Sequence, residues 1–183
     1  RALGQRPAAA GRLRPQNNAM THSHAIATRA PVGPLQWAQI VEWLRADGVV
    51  SDEEAARTIA RCSQAESSQH PLVRLASVAM ERASDGKPLD IEMLTQYLAQ
   101  RVGLDYFRID PLKVDVGKVA DVMSGTYAER HKVLPVQVTL KEVVVATAEP
   151  FVTDWVAEVE RQARRAVRRV LTNPQDIHRY TAE

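Results

Sequence analysis

The sequence predicts an α+β fold, in which an N-terminal helical hairpin precedes a small three- to four-stranded sheet packed against helices. The clearest indication is a pair of segments rich in β-branched residues, 133–138 and 143–146, joined by a short polar turn. A helical pattern follows this pair, and 167–171 then predicts a returning strand. The first half of the chain instead carries apolar residues at helical spacing. Strands that follow a run of helices are typical of α+β proteins.

Four helices are predicted before the first strand. Apolar residues recur every three or four positions over 35–47, and Gly48 suits the end of that helix. Ser51, with Glu54 three residues later, predicts a capping box at the start of the second helix. A third helix is expected over 71–84, and a fourth opens after Leu89-Asp90 and ends at Gly103.

The second half alternates between short strands and helices. A strand is expected at 106–109 and a single helix over 116–129. Thr153 or Asp154 is expected to cap a helix after the hairpin, and Asn173-Pro174 to start a terminal helix. The expected organisation is a disordered tail at 1–34, a helical hairpin with its linker at 35–69, and the α+β domain at 70–183. The tail composition also fits a leader or an artefact upstream of Met20.

Charge and composition exclude several classes of function. The net charge is +2, but residues 1–30 hold five arginines and no acid, so the remainder carries 19 basic and 22 acidic residues. A mildly acidic body gives no general case for nucleic-acid binding. No window approaches the roughly 18 apolar residues of a membrane span. Cys62 is the one cysteine and indicates a reducing compartment, and no metal-ligand spacing is present.

The order of motifs in the second half resembles a known family. The segments that carry the resemblance are 98–104 followed by Tyr106, Leu134-Pro135-Val136, 143–146 followed by an acid and Pro150, Val170-Leu171, and 173–177. Together they are similar to the N-terminal domain of type II secretion ATPases (general secretory pathway protein E) and their type IV pilus assembly relatives. The resemblance covers 70–183 well and 35–65 less closely.

The resemblance implies a docking and regulatory domain rather than a complete enzyme. Such a domain binds the cytoplasmic part of an inner-membrane platform protein and positions a hexameric motor, so it lies in the cytoplasm, peripheral to the inner membrane. The chain contains no GxxxxGK[ST] phosphate loop, so we expect no ATP hydrolysis here. ATP and Mg²⁺ would belong to the motor domain of the parent protein, expected after Glu183 and itself a partner of this domain.

Some members of the family bind cyclic di-GMP through two segments that each begin Arg-Leu-Gly. In this chain Gln39 and Val41 stand where the first arginine and glycine are expected, and Ala76 replaces the second glycine. Arg74 is the one arginine that matches. A cyclic di-GMP sensor is therefore the alternative function, and we do not expect the chain to bind this nucleotide.

Two groups of residues are candidates for binding partners. Trp37 and Trp43 are six residues apart and should lie on opposite sides of a helix. Either one of them is exposed and available to a partner, or both pack between the helical hairpin and the main body; with Leu44 and Arg74 they form the candidate docking set. Arg161, Arg164 and Arg165 are candidates for binding an anion or an acidic partner. If 161–169 formed one helix, four of its arginines would share a stripe; the other arrangement is that 161–165 finish a helix and Arg168 and Arg169 flank a short strand. Nucleic-acid binding through this segment is the second alternative function. No catalytic or metal-binding residue is predicted.

Overall fold

The structure is a computed structural model, and it describes residues 31–182. The predicted tail lies outside the described residues up to position 30. The next residues are held by backbone contacts, because the Gly33 amide donates to the Phe151 carbonyl at 3.1 Å. The proposed division at 34 and 69 stays a prediction.

Eight helices and four strands make up the described chain, which confirms the α+β fold. The helices are α1 (Trp37–Ala46), α2 (Asp52–Ser63), α3 (Pro71–Val78), α4 (Ile91–Val102), α5 (Val116–Val122), α6 (Gly125–His131), α7 (Val156–Ala163) and α8 (Pro174–Thr181). The strands are β1 (Asp105–Tyr106), β2 (Val133–Val138), β3 (Glu142–Thr147) and β4 (Ala166–Leu171), and a 3₁₀ turn covers Pro111–Lys113.

The strands form one mixed sheet in the order β1-β4-β3-β2. The predicted hairpin is β2 and β3, while β4 runs parallel to β3 after the crossover through α7. The strand expected at 106–109 ends earlier, because the Thr172 hydroxyl binds the Phe107 carbonyl and Ile109 packs on a face of the sheet. This topology places the carboxyl ends of β3 and β4 at one end of the sheet and the β2–β3 turn at the other.

Both faces of the sheet are covered, which explains the unbroken apolar run in β3. Val143 and Val145 pack into one cluster with α7, whereas Val144 and Ala146 face a second cluster that contains Ile109. None of these four valine and alanine side chains is more than 1% exposed. A third cluster joins α1, α2, α3 and α4 and also includes Leu171 of β4. The helical half and the sheet therefore share a core.

Two helix predictions were wrong. The helix expected over 116–129 breaks at Met123, which is extended, and Ser124 then caps α6 by accepting the Tyr127 amide at 3.3 Å. The third helix stops at Val78, since Ala79 adopts a left-handed conformation with φ of 56°.

Helix capping followed the sequence only in part. Ser51 caps α2 as predicted, accepting the Glu54 amide at 3.1 Å, but the Glu54 carboxylate binds Arg57 instead of reaching back. Neither Thr153 nor Asp154 caps α7, which begins after the buried Trp155 without a side-chain cap. Burial of that indole fixes the start of α7 through packing.

Candidate docking surfaces

A broad cleft of about 1220 Å³ lies at the end of the sheet where β3 and β4 finish. Its walls come from the starts of α1, α3 and α8, from the end of α6, and from Ala148-Glu149 after β3. Trp37 and Arg74 line it, and so do Lys132 and Arg179. The cleft is therefore bounded by both the helical half and the sheet.

Arg74 stacks on Trp37 at the wall of this cleft. Its guanidinium carbon lies 5.2 Å from the centroid of the indole, within the range of a cation–π contact. The same guanidinium donates through Nη2 to the carbonyls of Cys62 and Ala65, so it ties the end of α2 to α3. Arg74, the one arginine that matches the cyclic di-GMP pattern, is thus already bound to two backbone carbonyls.

His70 and Glu149 join three elements beside the cleft. The His70 Nδ1 accepts the Leu72 amide at 3.1 Å, which fixes the proton on Nε2, and Nε2 donates to the Ala148 carbonyl at 2.9 Å. Glu149 accepts the Leu35 amide at 2.8 Å and lies 3.3 Å from the same His70 nitrogen. The pair therefore holds the starts of α1 and α3 against the end of β3.

Trp43 lies at the other end of α1 and makes a second stack. Arg101 sits 5.5 Å from its ring centroid, and the ring of Phe151 meets it edge-on at 6.2 Å. Asp47 binds Arg101 at 2.7 Å and accepts the Tyr97 hydroxyl at 2.6 Å. Burial, with this hydrogen bond, holds the pKa of Tyr97 well above its usual range.

Of the two arrangements expected for the tryptophans, the structure shows the one in which both pack against the body. Both indoles are half-buried and pack against the same helical cluster, because that cluster surrounds α1 on two sides. Leu44, the third member of the set on α1, has no exposed surface. It can reach a partner only if α1 moves, whereas each indole keeps an exposed part.

The arginines of 161–169 do not form one stripe. α7 ends at Ala163, Arg164 adopts a left-handed conformation with φ of 51°, and β4 then carries the rest. Arg168 pairs with Glu142 at 3.1 Å, while the next residue, Arg169, donates to the Pro150 carbonyl at 2.6 Å. Neighbouring strand residues face opposite sides of the sheet, so the set is divided.

Of the predicted arginines, Arg164 and Arg165 directly precede the residue that contacts the β2–β3 turn, and Arg165 lines one groove with Leu140, whereas Arg161 lies inside α7. The Ala166 amide donates to the Lys141 carbonyl at 3.3 Å and brings the turn against this junction. Leu140, in the same turn, is 94% exposed. The sequence interpretation missed it, although a leucine between two polar residues of a tight turn was a usable signal.

Within residues 31–182, no three His, Cys, Asp or Glu side chains are placed to share a metal ion. None of the helices described there is both long enough and apolar enough to cross a bilayer.

Comparison with known proteins gives consistent results. The MshEN domain family matches residues 102–183. The type IV pilus assembly ATPase TfpB of Acinetobacter baylyi is 36% identical over 153 residues, which is 81% of this chain. The chain spans about a quarter of the length of that relative, 26%.

Two solved structures are similar to this chain. One, described as the structure of MshE with cdg, has a TM-score of 0.55 over 81% of this chain and 97% of its own, at 16% identity. At that identity the likeness concerns the fold alone. The N-terminal domain of XpsE has a TM-score of 0.47 over 82% of this chain and 97% of its own, at 15% identity.

The family match and the pilus relative agree with the motifs of the second half and with the mixed sheet that those motifs build. The chain therefore belongs to the family of type II secretion and type IV pilus assembly ATPases, and it carries the N-terminal domain of such a protein.

Proposed function

We propose that this domain docks its parent ATPase onto the cytoplasmic part of an inner-membrane platform protein and thereby positions a hexameric motor. The observation that carries the proposal is the pair of tryptophan–arginine stacks at the two ends of α1. Tryptophan and arginine are the residues most enriched among those that dominate binding energy at protein interfaces. Helix α1 thus offers two suitable contacts on one rigid element.

The stacks suit docking because each one is already ordered. Arg74 is held by two carbonyls and Arg101 by Asp47, so little rotamer entropy remains to be lost on binding. The cleft beside Trp37 gives a partner a concave surface in which an apolar side chain can be buried. A partner that fills the cleft would contact α1 and α8 together, and α8 leads toward the end of the chain.

The parent protein supplies the catalysis in this proposal. The relative that matches 81% of the chain is named an assembly ATPase, and the chain covers only its smaller part. We expect ATP and Mg²⁺ to bind the motor domain and this chain alone to show no ATPase activity. The place of the domain on the cytoplasmic side of the inner membrane would then follow from its protein partner.

Calorimetry with the cytoplasmic domain of the platform protein from the same system tests the docking. The full chain should bind it, and the double variant Trp37→Ala/Trp43→Ala should bind at least about 30-fold more weakly. Leu112→Ala is the matched control, because Leu112 is 95% exposed and lies on the 3₁₀ turn. Circular dichroism checks that both variants fold. Unchanged binding by the double variant would move the interface away from α1.

The cyclic di-GMP alternative is tested in the same instrument. The guanidinium of Arg74 already binds two carbonyls and covers Trp37, so a nucleotide would have to displace contacts that join α2 to α3. We therefore expect no heat on titration with cyclic di-GMP. Saturable binding that Arg74→Ala abolishes, in a variant that remains folded, would support a sensor.

A further inference from the structure

A cluster of cations surrounds an exposed leucine at the end of the sheet opposite the cleft. Leu140 and Lys141 form the β2–β3 turn, and the carbonyl of Lys141 accepts the Ala166 amide just beyond the arginines that follow α7. We name this surface the basic tip, and its residues are Leu140, Lys141, Arg164 and Arg165. Two elements distant in sequence thus meet to form it.

The cations of the basic tip are not neutralised locally. Within residues 31–182, no carboxylate oxygen lies within 4.0 Å of the side-chain nitrogens of Lys141, Arg164 or Arg165, and Arg165 donates to the Ala163 carbonyl at 3.2 Å. The neighbouring cations are paired, since Lys118 binds Asp115 at 3.1 Å and Arg168 binds Glu142. Like charges held close together repel one another, so an acidic partner that binds the basic tip would relieve this repulsion.

A groove of about 330 Å³ opens beside Leu140, between α5 and the turn. The apolar side chains of Val122 and Val138 line it, and Lys118 and Arg165 stand at its polar margin. Asp121, an exposed acid, also lines the groove, and its carboxylate would repel a carboxylate of a partner placed next to it. The recess can hold one apolar side chain while cations surround it.

These features together define the kind of partner. Carboxylates would meet the three cations that lack an acidic partner, and an apolar side chain between them would enter the groove and cover Leu140. An amphipathic helix presents this pattern, since residues three or four apart lie on one face. A bilayer surface would contact Leu140 but would not fill the groove lined by the recessed valines. A nucleic-acid backbone would contact the cations alone.

We propose that the basic tip is a docking site for an acidic amphipathic helix of a partner protein. The site is separate from the tryptophan–arginine stacks, because it lies at the opposite end of β3. Its use therefore does not depend on the docking proposed for α1. The domain would hold two different partners, or two regions of one partner, at its two ends.

Fluorescence anisotropy with a labelled helical peptide tests the proposal on the full chain. The probe is a peptide of about 18 residues built from Glu, Leu and Ala with a leucine stripe, and its comparison peptide has Gln in place of Glu. We expect binding of the Glu peptide that weakens with salt, and binding of the Gln peptide about tenfold weaker. Lys141→Glu/Arg164→Glu should lower affinity for the Glu peptide by about tenfold or more, and Leu140→Ser by about threefold.

The control variant changes the same total charge at another place. Lys87→Glu/Arg130→Glu alters two exposed cations outside the basic tip and should leave the affinity unchanged. All four altered cations are exposed, and thermal melts check that each variant folds. Equal binding of both peptides, or equal loss in both charge variants, would overturn the proposal. The proposal would also be overturned if the chain sedimented with phosphatidylglycerol vesicles, or shifted single-stranded DNA in a gel, but did not bind the Glu peptide.

Discussion

Replacing Arg74 by alanine removes two hydrogen bonds and a stacking contact at once. The guanidinium binds the carbonyls of Cys62 and Ala65 and lies 5.2 Å from the Trp37 ring. A bond from a charged donor contributes about 1.5–3 kcal/mol when buried, and for this half-buried arginine about 1 kcal/mol each is appropriate. The cation–π contact adds about 0.5 kcal/mol. The expected loss is therefore about 2.5 kcal/mol in the free energy of unfolding.

Urea denaturation and thermal melting measure this loss directly. For a chain of this size, about 2.5 kcal/mol corresponds to a fall in Tm of about 5–10 °C. Arg74→Lys should lose about half as much, because an ammonium keeps the charge near Trp37 but lacks the planar fork. Arg130→Ala, at an exposed position of α6, is the matched control and should change stability by less than about 0.5 kcal/mol. An Arg74→Ala variant as stable as that control would refute the structural role and leave the guanidinium free for a ligand.

Three further results are expected. Leu44→Ala should lower the free energy of unfolding measured in urea by about 2–5 kcal/mol, because Leu44 is fully buried. Leu140→Ala, at a residue that is 94% exposed, should lower it by less than about 0.5 kcal/mol, and equal losses would contradict the burial described here. Ser51→Ala should cost about 1 kcal/mol through loss of the cap of α2, and a neutral result would show that the bond to Glu54 does not stabilise the helix. Burial, with hydrogen bonds to carboxylates, raises the pKa of Tyr106 and of Tyr127 to about 12, so stability is retained below pH 10 and falls as pH rises toward 12; ultraviolet titration that shows both phenols ionising near pH 10 would contradict this.

The β2–β3 hairpin was predictable because both faces of β3 are buried, and burial on either face favours the same β-branched residues. A run of β-branched residues fits a strand, and β3 is buried on both faces, so no polar residue interrupts the signal. The Ser51 cap was equally local, since the residue and the amide it binds are three positions apart. Both of these features depend on residues close in sequence, and the sequence predicted them.

One of the two helix errors came from contacts between distant residues. Nothing in the sequence marks Ala79 as left-handed, yet the chain turns there to bury Met80 and to pair Glu81 with Pro88. The break at Met123 did have a local signal in the Ser124-Gly125 pair, which was outweighed by the apolar spacing of the helix. Tertiary packing therefore decided the turn at Ala79, whereas the break at Met123 goes with the local cap at Ser124.

The candidate docking residues show the same division. The tryptophans could be named from the sequence, but their arginine partners come from α3 and α4 and required the fold. The basic tip likewise depends on the crossover through α7, which returns Arg164 and Arg165 to the turn that holds Leu140. The sequence does not show that β4 pairs in parallel with β3, because the paired residues lie more than twenty positions apart.

Hydrogen–deuterium exchange of the full chain, with and without the cytoplasmic domain of the platform protein, tests the proposed docking most directly. We expect slower exchange in the peptides that cover α1 and α3, because a bound partner suppresses local opening there, and unchanged exchange in the peptide that covers Pro111–Lys113. A complex that leaves α1 and α3 exchanging at their free rates would contradict the proposed docking through α1.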